Sequence, residues 1–410
     1  MLKRVLFVHT NFPAQFRDLA SHLVAQGVEC AAIGSRAAPG LPGVRLAAWA
    51  NAKGSTPGIF QLATRAEADL IRGRAALDAA LALKADGFEP DLIIGHPGWG
   101  ETSLLREAFP KARRILFSEF FYQGRGGDID FETEFIAASF ESILAGTAKN
   151  AVMALSLTEA DAIVCPTRYQ ASTHPSVFAP RIRLIHEGVD TSAIQPGPPE
   201  PLTLPSGVTL TPGAPLITHV NRHLEPLRGL HILLRALPRV QAAVPDAQVL
   251  IVGSEDLRGY SGAAPGGRTW KSVCLEGVED RLDLSRIHFT GRLDHQAMLA
   301  GLRLSTAHVY YSYPFVLSWS LIEAMASGCY VIGSDTPPVR DAIVDGVSGR
   351  LLDFFDVDAL ADSLIEACRQ PAGFAAQRTA ARETAVAHFD ASAGRAAWLT
   401  LIDEVMSAPG

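Results

Sequence analysis

The stretch AHVYYSYPFVLSWSLIEAMASGCYVIGSD, residues 307–335, decides the fold class. Its aromatic and β-branched start reads as a strand and YPFVLSW as an irregular turn. Residues 320–327 read as a helix, Gly328 as its stop, and CYVIGSD as the next strand. A strand, a crossover helix and a second strand in such close succession give a parallel pair with its helix on one face. Outward from it the same alternation runs through LITHV, LHILLRALPRVQAAV, AQVLIVG and RIHFTG. It occurs again near the start, in RVLFVHT, AQFRDLASHLVAQG, VECAAIG, DLIIGH, RRILFSE and DAIVCPT. Between the two series lies QPGPPEPLTLPSGVTLTPGAP, too rich in Pro and Gly to hold a regular element. The sequence therefore predicts an α/β fold of two tandem doubly wound domains, their strand C-termini facing a central cleft. The boundaries read as a first domain 1–194, a linker 195–215, a second domain 216–390 and a terminal helix 391–410. That last helix, with Trp398, Leu399 and Ile402 at helical spacing, reads as a packing helix set against the first domain.

Composition supports two cores and narrows the partners. A chain of 410 residues exceeds the size at which one hydrophobic core stops growing. A net charge of −7 with 48% apolar residues gives no global attraction for nucleic acid or anionic lipid, so any bound anion must be held locally. The start is too short in apolar residues for a signal peptide, and no run approaches a membrane span. The five cysteines show no C-x-x-C or Cys/His spacing, which favours reduced thiols, a cytoplasmic setting and no structural zinc.

Glu323 is the one carboxylate inside the apolar run that follows Tyr313. Two readings compete for it. Ser320-Leu321-Ile322-Glu323 fits a capping box, in which the Glu closes its own helix start. Alternatively, a helix N-terminus at the C-terminal edge of a parallel sheet offers N–H groups to a phosphate, and a carboxylate beside it accepts ribose hydroxyls. A second strand-loop-helix segment, HVNRHLEPLRGLHILL, favours the latter. It sets Arg222 and Arg228 in the loop and Gly229 at the turn, a supply of fixed positive charge suited to a pyrophosphate.

With these residues, the chain resembles the family 4 glycosyltransferases, retaining enzymes of the two-Rossmann-domain GT-B architecture. The resemblance covers nearly the whole chain. It is clearest over residues 286–356 and extends to NRHLEPLRGLHILLRALPRV, AQVLIVGSE, IRLIHEGVD and DLIIGHPGW. It implies a donor site in which Arg222 and Arg228 hold the diphosphate, the backbone of Ser318, Trp319, Ser320 and Leu321 meets phosphate, and Glu323 takes the ribose. Arg292 would lie near the base, and Gly253, Asn11 and Phe315 would border the donor. His96 would face the reacting groups. The implied reaction needs neither a metal nor a cofactor: a hexose passes from a nucleotide diphosphate sugar, uridine favoured and guanosine next, to a hydroxyl of a glycan, lipid-linked sugar or protein. Peripheral membrane contact is compatible with a lipid-linked acceptor.

The chain also departs from the family. Of the usual E-x7-E pair the first position is Phe315, which accepts no hydrogen bond from a sugar; Arg228 stands where Lys is common, one residue further from Arg222; and NFPAQF, with Asn11 and Gln15, replaces the usual Gly-Gly. On the acceptor side, His96 follows a strand in DLIIGHPGWGET, and Glu101 and Glu119 are the carboxylates expected to line the cleft. Asp128-Ile129-Asp130 and Asp356-Val357-Asp358 are chance-level D-x-D matches and are read as no metal site. A non-catalytic sugar-nucleotide or glycan-binding protein would explain Phe315, and an epimerase or phosphorylase could use the same fold. A pyridoxal-dependent phosphorylase is disfavoured because Lys271, remote from the motifs, is the one lysine of the second half, and a dehydrogenase because no G-x-G-x-x-G follows the first strand.

Overall fold

In a computed structural model, which describes residues 2–49 and 54–409, strand β1 (Arg4–Val8) is central to the first sheet, with Val5 to Val8 fully shielded from water. A strand covered on both faces takes an uninterrupted apolar run, and RVLFV supplies one. The sheet continues with β2 (Glu29–Ser35), β3 (Val44–Trp49), β4 (Leu92–Gly95), β5 (Arg113–Phe117), β6 (Ala162–Cys165) and β7 (Ile182–Leu184). Its order is β3-β2-β1-β4-β5-β6-β7 and every pairing is parallel. The order reverses between β1 and β4, so the loops after these two strands open at the place where α/β sheets bind ligands.

The chain divides into two compact units, Met1–Glu187 with Ala391–Gly410, and Gly188–Asp390. The terminal helix Ala391–Ser407 belongs to the first of them. Its Trp398, Leu401, Ile402 and Val405 enter the core that holds Phe7, Phe16 and Phe117, and Arg395 bonds both oxygens of Asp18 at 2.7 and 2.8 Å.

The second unit begins earlier than Pro and Gly content suggests. Val189 and Ile194 lie in its core, and Arg382 donates to the carbonyls of Ile194 and Thr191 at 2.5 and 2.6 Å. Nor is 195–215 a free linker: β8 (Leu202–Thr203) and β9 (Thr209–Leu210) pair as a hairpin whose Leu202, Leu204 and Leu210 join the same core. Burial of three leucines fixes what the prolines and glycines alone would leave irregular. Its main sheet comprises β10 (Leu216–His223), β11 (Gln248–Ser254), then, past the small hairpin β12 (Arg258–Gly259) and β13 (Gly262–Ala263), β14 (Ile287–Phe289), β15 (Ala307–Tyr310), β16 (Val331–Ser334) and β17 (Arg350–Leu352). The order β14-β11-β10-β15-β16-β17 is parallel throughout and reverses between β10 and β15. Among the described residues no helix is long and apolar enough to cross a membrane, and the five cysteines are buried and unpaired with one another.

Candidate active site

In the second unit the two loops at the strand-order reversal are bolted together by Arg228. Its side chain, 5% exposed, donates from Nη1 to the Tyr310 hydroxyl (3.0 Å) and Ser312 Oγ (2.8 Å), and from Nη2 to the Val316 carbonyl (3.2 Å). These are neutral acceptors, and among the described residues no carboxylate pairs with this guanidinium. Burying a cation without a counter-charge is costly, and here three neutral oxygens alone accept its protons. Gly229, next in the chain, turns at φ +72°, and a Cβ there would stand 2.4 Å from that of Tyr311. Only glycine lets the helix Leu230–Ala243 start so close to the β15 loop.

Arg222 is exposed, its Nη1 3.5 Å from the Tyr260 hydroxyl, and Arg292 pairs with Asp256 at 2.9 Å. Glu225, fully buried, accepts the Tyr260 and Ser261 amides at 3.2 and 2.7 Å and so anchors the tip of the β12–β13 hairpin. Gly253 is not open to a ligand. It is buried in β11, where a Cβ would meet Leu224 and the Asn221 carbonyl within 2.8 Å, so its smallness serves packing.

Glu323 does not close a capping box. The helix Trp319–Ala326 is capped by Ser318, whose Oγ accepts the Ser320 amide at 3.2 Å while its own amide is held by the Tyr310 hydroxyl at 2.9 Å. Glu323 therefore stands two residues beyond the position from which a capping-box Glu reaches back, and its Oε1 lies 2.7 Å from His295 Nε2. Burial pushes its carboxyl above the usual range, and the His295 bond draws it partly back. The Leu321 amide is bonded to the Ser318 carbonyl, so Ser320 and Leu321 offer no free amides in this state, and a phosphate there must displace the cap. Phe315 is buried and packs on Tyr260 with ring centres 5.5 Å apart.

In the first unit, the loops after β1 and β4 bring a second constellation together. His96 is buried, its Nδ1 accepts the Gly98 amide at 3.1 Å, and its ring stacks on Trp99 at 4.3 Å. With Nδ1 accepting, Nε2 carries the proton and aims it at Glu119 Oε2, 3.2 Å away. Glu119 also accepts Gln15 Nε2 at 2.7 Å. Burial alone would raise this carboxyl, but the bonds from His96 and Gln15 outweigh it and hold it below the usual range. His9, brought to about 3 by burial and the neighbouring His96, stays neutral, with its Nδ1 accepting the Asn11 amide at 2.9 Å. The Asn11 side chain is exposed beside this group.

Glu101, by contrast, lines no cleft. It is fully buried, its Oε1 takes the Thr10 hydroxyl and its Oε2 has no hydrogen-bond partner; burial pushes its carboxyl up, with Thr10 pulling it back in part. It latches the β1 loop to the β4 loop. From the ordinary carboxylate value of about 4.3 upward, the folded chain keeps a proton that the unfolded chain has released, so stability falls as pH rises through that window. Glu101→Gln, which does not titrate, is expected to flatten this slope and to match or exceed the parent near about pH 8. Thermal unfolding of both chains across pH reads this directly, and an unchanged slope overturns it.

Sequence reasoning missed the arginine clamp on the His96 loop. On the helix Thr64–Ala85, buried Asp69 bonds Arg65 at 2.8 Å and also Arg72; these arginines in turn hold the Gly98 and Trp99 carbonyls, the latter at 2.7 Å. The signal is the spacing Arg65, Asp69, Arg72 on one helical face, which reads equally as a solvated ion pair. His295, Tyr260 and Glu225 were missed as well, since their partners are distant in sequence. Of the D-x-D aspartates, Asp130 accepts the Gly126 amide at 2.8 Å and Asp356 caps the helix Val357–Arg369, while Asp358 pairs with the Arg239 side chain at 2.6 Å and Asp128 Oδ1 is buried without a hydrogen-bond partner.

Two family models match the chain, "Glycosyl transferase family 4 group" over residues 26–194 and "Glycosyl transferases group 1" over residues 214–370. A "Phosphatidyl-myo-inositol mannosyltransferase" of Mycolicibacterium smegmatis is 31% identical over 156 residues, which are 36% of this chain and 35% of that protein. A "GDP-mannose-dependent monoacylated alpha-(1-6)-phosphatidylinositol monomannoside mannosyltransferase" of Corynebacterium glutamicum is 29% identical over 240 residues, 55% of this chain and 57% of that one. Among solved structures, sucrose-phosphate synthase from Thermosynechococcus elongatus superposes with a TM-score of 0.76 at 19% identity, covering 99% of this chain and all of the other.

Proposed function

Because the chain belongs to the family 4 glycosyltransferases, we propose that it moves a hexose from a nucleoside diphosphate sugar to an acceptor hydroxyl, with retention at the anomeric carbon and without a metal ion. The observation that carries the proposal is the buried Arg228 guanidinium without a carboxylate, at the strand-order reversal and close to the exposed Arg222 loop. A diphosphate supplies the missing counter-charge. As the bond from the anomeric carbon to the phosphate oxygen breaks, its electron pair passes to the diphosphate, and the two arginines stabilise that charge. Glu323 takes the ribose hydroxyls after exchanging its His295 partner. The leaving phosphate oxygen accepts the acceptor's proton as the acceptor oxygen bonds to the anomeric carbon on the same face, which retains configuration. His96, held by the Gly98 amide at Nδ1, orients the reacting groups once its Nε2 proton exchanges Glu119 for a substrate oxygen. The relatives' names favour a hydroxyl on a lipid-linked polyol or sugar as acceptor, and a guanosine donor beside the uridine that family frequency favours.

Titration of the purified chain with uridine and guanosine diphosphate sugars, followed together with diphosphate release, tests this. Binding of one donor with slow release supports transfer. Binding without release, even with candidate acceptors present, favours the non-catalytic binding role to which Phe315 lends weight; no binding overturns the reading of both phosphate loops. Glu323→Gln is expected to weaken donor binding about tenfold, the loss of one charge-assisted hydrogen bond to a ribose hydroxyl.

A further inference from the structure

We propose that Asp69, Arg65 and Arg72 are positioning residues that keep His96 in the tautomer with its proton on Nε2 while substrate occupies the site. This rests on the role given to His96 above. In the resting arrangement two partners select that tautomer, the Glu119 carboxylate at Nε2 and the Gly98 amide at Nδ1. Once Nε2 turns to a substrate hydroxyl, the first of these is lost, and a hydroxyl can donate as well as accept. The Gly98 amide, 3.1 Å from Nδ1, is then what keeps the proton off that nitrogen.

That amide does not fix its own direction. Residue 98 has to lack a side chain, because a Cβ there would stand 2.6 Å from His96 Cε1, and glycine is the residue whose backbone is least restrained. Its direction is imposed from the helix Thr64–Ala85. Arg65 Nη2 donates to the Gly98 carbonyl, and Arg72 Nε to the Trp99 carbonyl at 2.7 Å. One carboxylate fixes both guanidiniums: Asp69, 1% exposed, takes Arg65 Nε on its two oxygens at 2.8 Å and Arg72 Nη2 on one of them. The helix also closes on the far end of the turn, where a Cβ at Gly100 would overlap the Asp69 carbonyl oxygen. Pro97 restrains the near end. The Trp99 ring that stacks on His96 at 4.3 Å belongs to the residue that Arg72 holds. An ion pair that only steadied its own helix would need no partner in another loop, yet each arginine here gives a further donor to the turn that aims the Gly98 amide.

Nuclear magnetic resonance of the full chain labelled with 15N at histidine provides the test, at about pH 8.5, where an ordinary imidazole is neutral. The His96 signals are assigned by their loss in His96→Gln. Glu119→Ala removes the partner at Nε2 and leaves the Gly98 amide to set the tautomer, so His96 is expected to keep Nδ1 unprotonated. Adding Asp69→Asn is expected to replace that single form with a mixture of both tautomers. Asp69 is buried and its loss can disturb the fold, so Arg65→Gln, at a side chain 31% exposed, is the second variant, with the same expectation. As single substitutions, both are expected to slow release of UDP from UDP-glucose or of GDP from GDP-mannose about tenfold at saturating donor, with donor affinity changed less than about twofold. A single Nε2-protonated form in both double variants, or parental release rates in both single variants, overturns the proposal. If the unsubstituted chain releases neither diphosphate, the transfer reading fails instead, and the tautomer comparison still decides whether the clamp sets His96.

Discussion

Arg228→Met is expected to lower nucleotide-sugar affinity at least about a hundredfold and to lower the stability of the second unit by roughly 2–4 kcal/mol. Methionine fills much of the volume but leaves the Tyr310 hydroxyl, Ser312 Oγ and the Val316 carbonyl without their donor. Removing a charged donor to three acceptors in a buried site accounts for the stability loss. The affinity loss adds two effects, the missing charge and the released β15 loop, which carries Phe315 and Ser318. Arg228→Lys separates them: it restores the charge but one ammonium cannot span three diverging acceptors, so affinity should return in part and stability little. Calorimetry with the donor and thermal unfolding of each variant supply the two readouts. Wild-type donor affinity in the methionine variant would show that the diphosphate sits elsewhere.

His96→Ala should lower turnover about a hundredfold to a thousandfold while changing donor affinity little. Donor binding is assigned to loops of the second unit, and His96 lies in the first. The ring also fills space between Trp99 and His9, with centroids at 4.3 and 5.4 Å, so folding must be checked by near-ultraviolet circular dichroism. Glu119→Gln gives a milder companion. It retains an acceptor for the Nε2 proton but not the charge, and turnover should fall by roughly tenfold. A His96→Ala protein that folds and turns over at the parental rate would reduce His96 to a structural cap of the Pro97–Trp99 turn.

Both parallel sheets were legible because their strands are buried on two faces and write themselves as unbroken apolar runs, RVLFV and AHVY among them. The loops at the strand-order reversals were legible for the same reason, since they are what remains between such runs. Other features depend on partners remote in sequence. The choice of Ser318 over Ser320 as helix cap is made by the Tyr310 hydroxyl, which grips the Ser318 amide. Local pattern offers both serines equally. Glu323 meets His295, 28 residues away, and Glu101 meets Thr10, 91 residues away; neither pairing leaves a trace in spacing. The leucine hairpin at 202–210 has strands of two residues, too short to show alternation, so its prolines and glycines dominate the reading.

The return of the chain to the first unit has a consequence for how that unit is made. Its core holds Trp398, Leu401, Ile402 and Val405, yet residues 188–390 of the other unit are synthesised before them. During translation the first unit must wait, with the faces of Phe16 and Phe117 uncovered, while the second folds as an uninterrupted segment. A fragment ending at residue 187 keeps every strand of the seven-stranded sheet and still lacks part of its core. Expression of that fragment alone should give an aggregation-prone product, and joining residues 391–407 to its end through a flexible linker should rescue it.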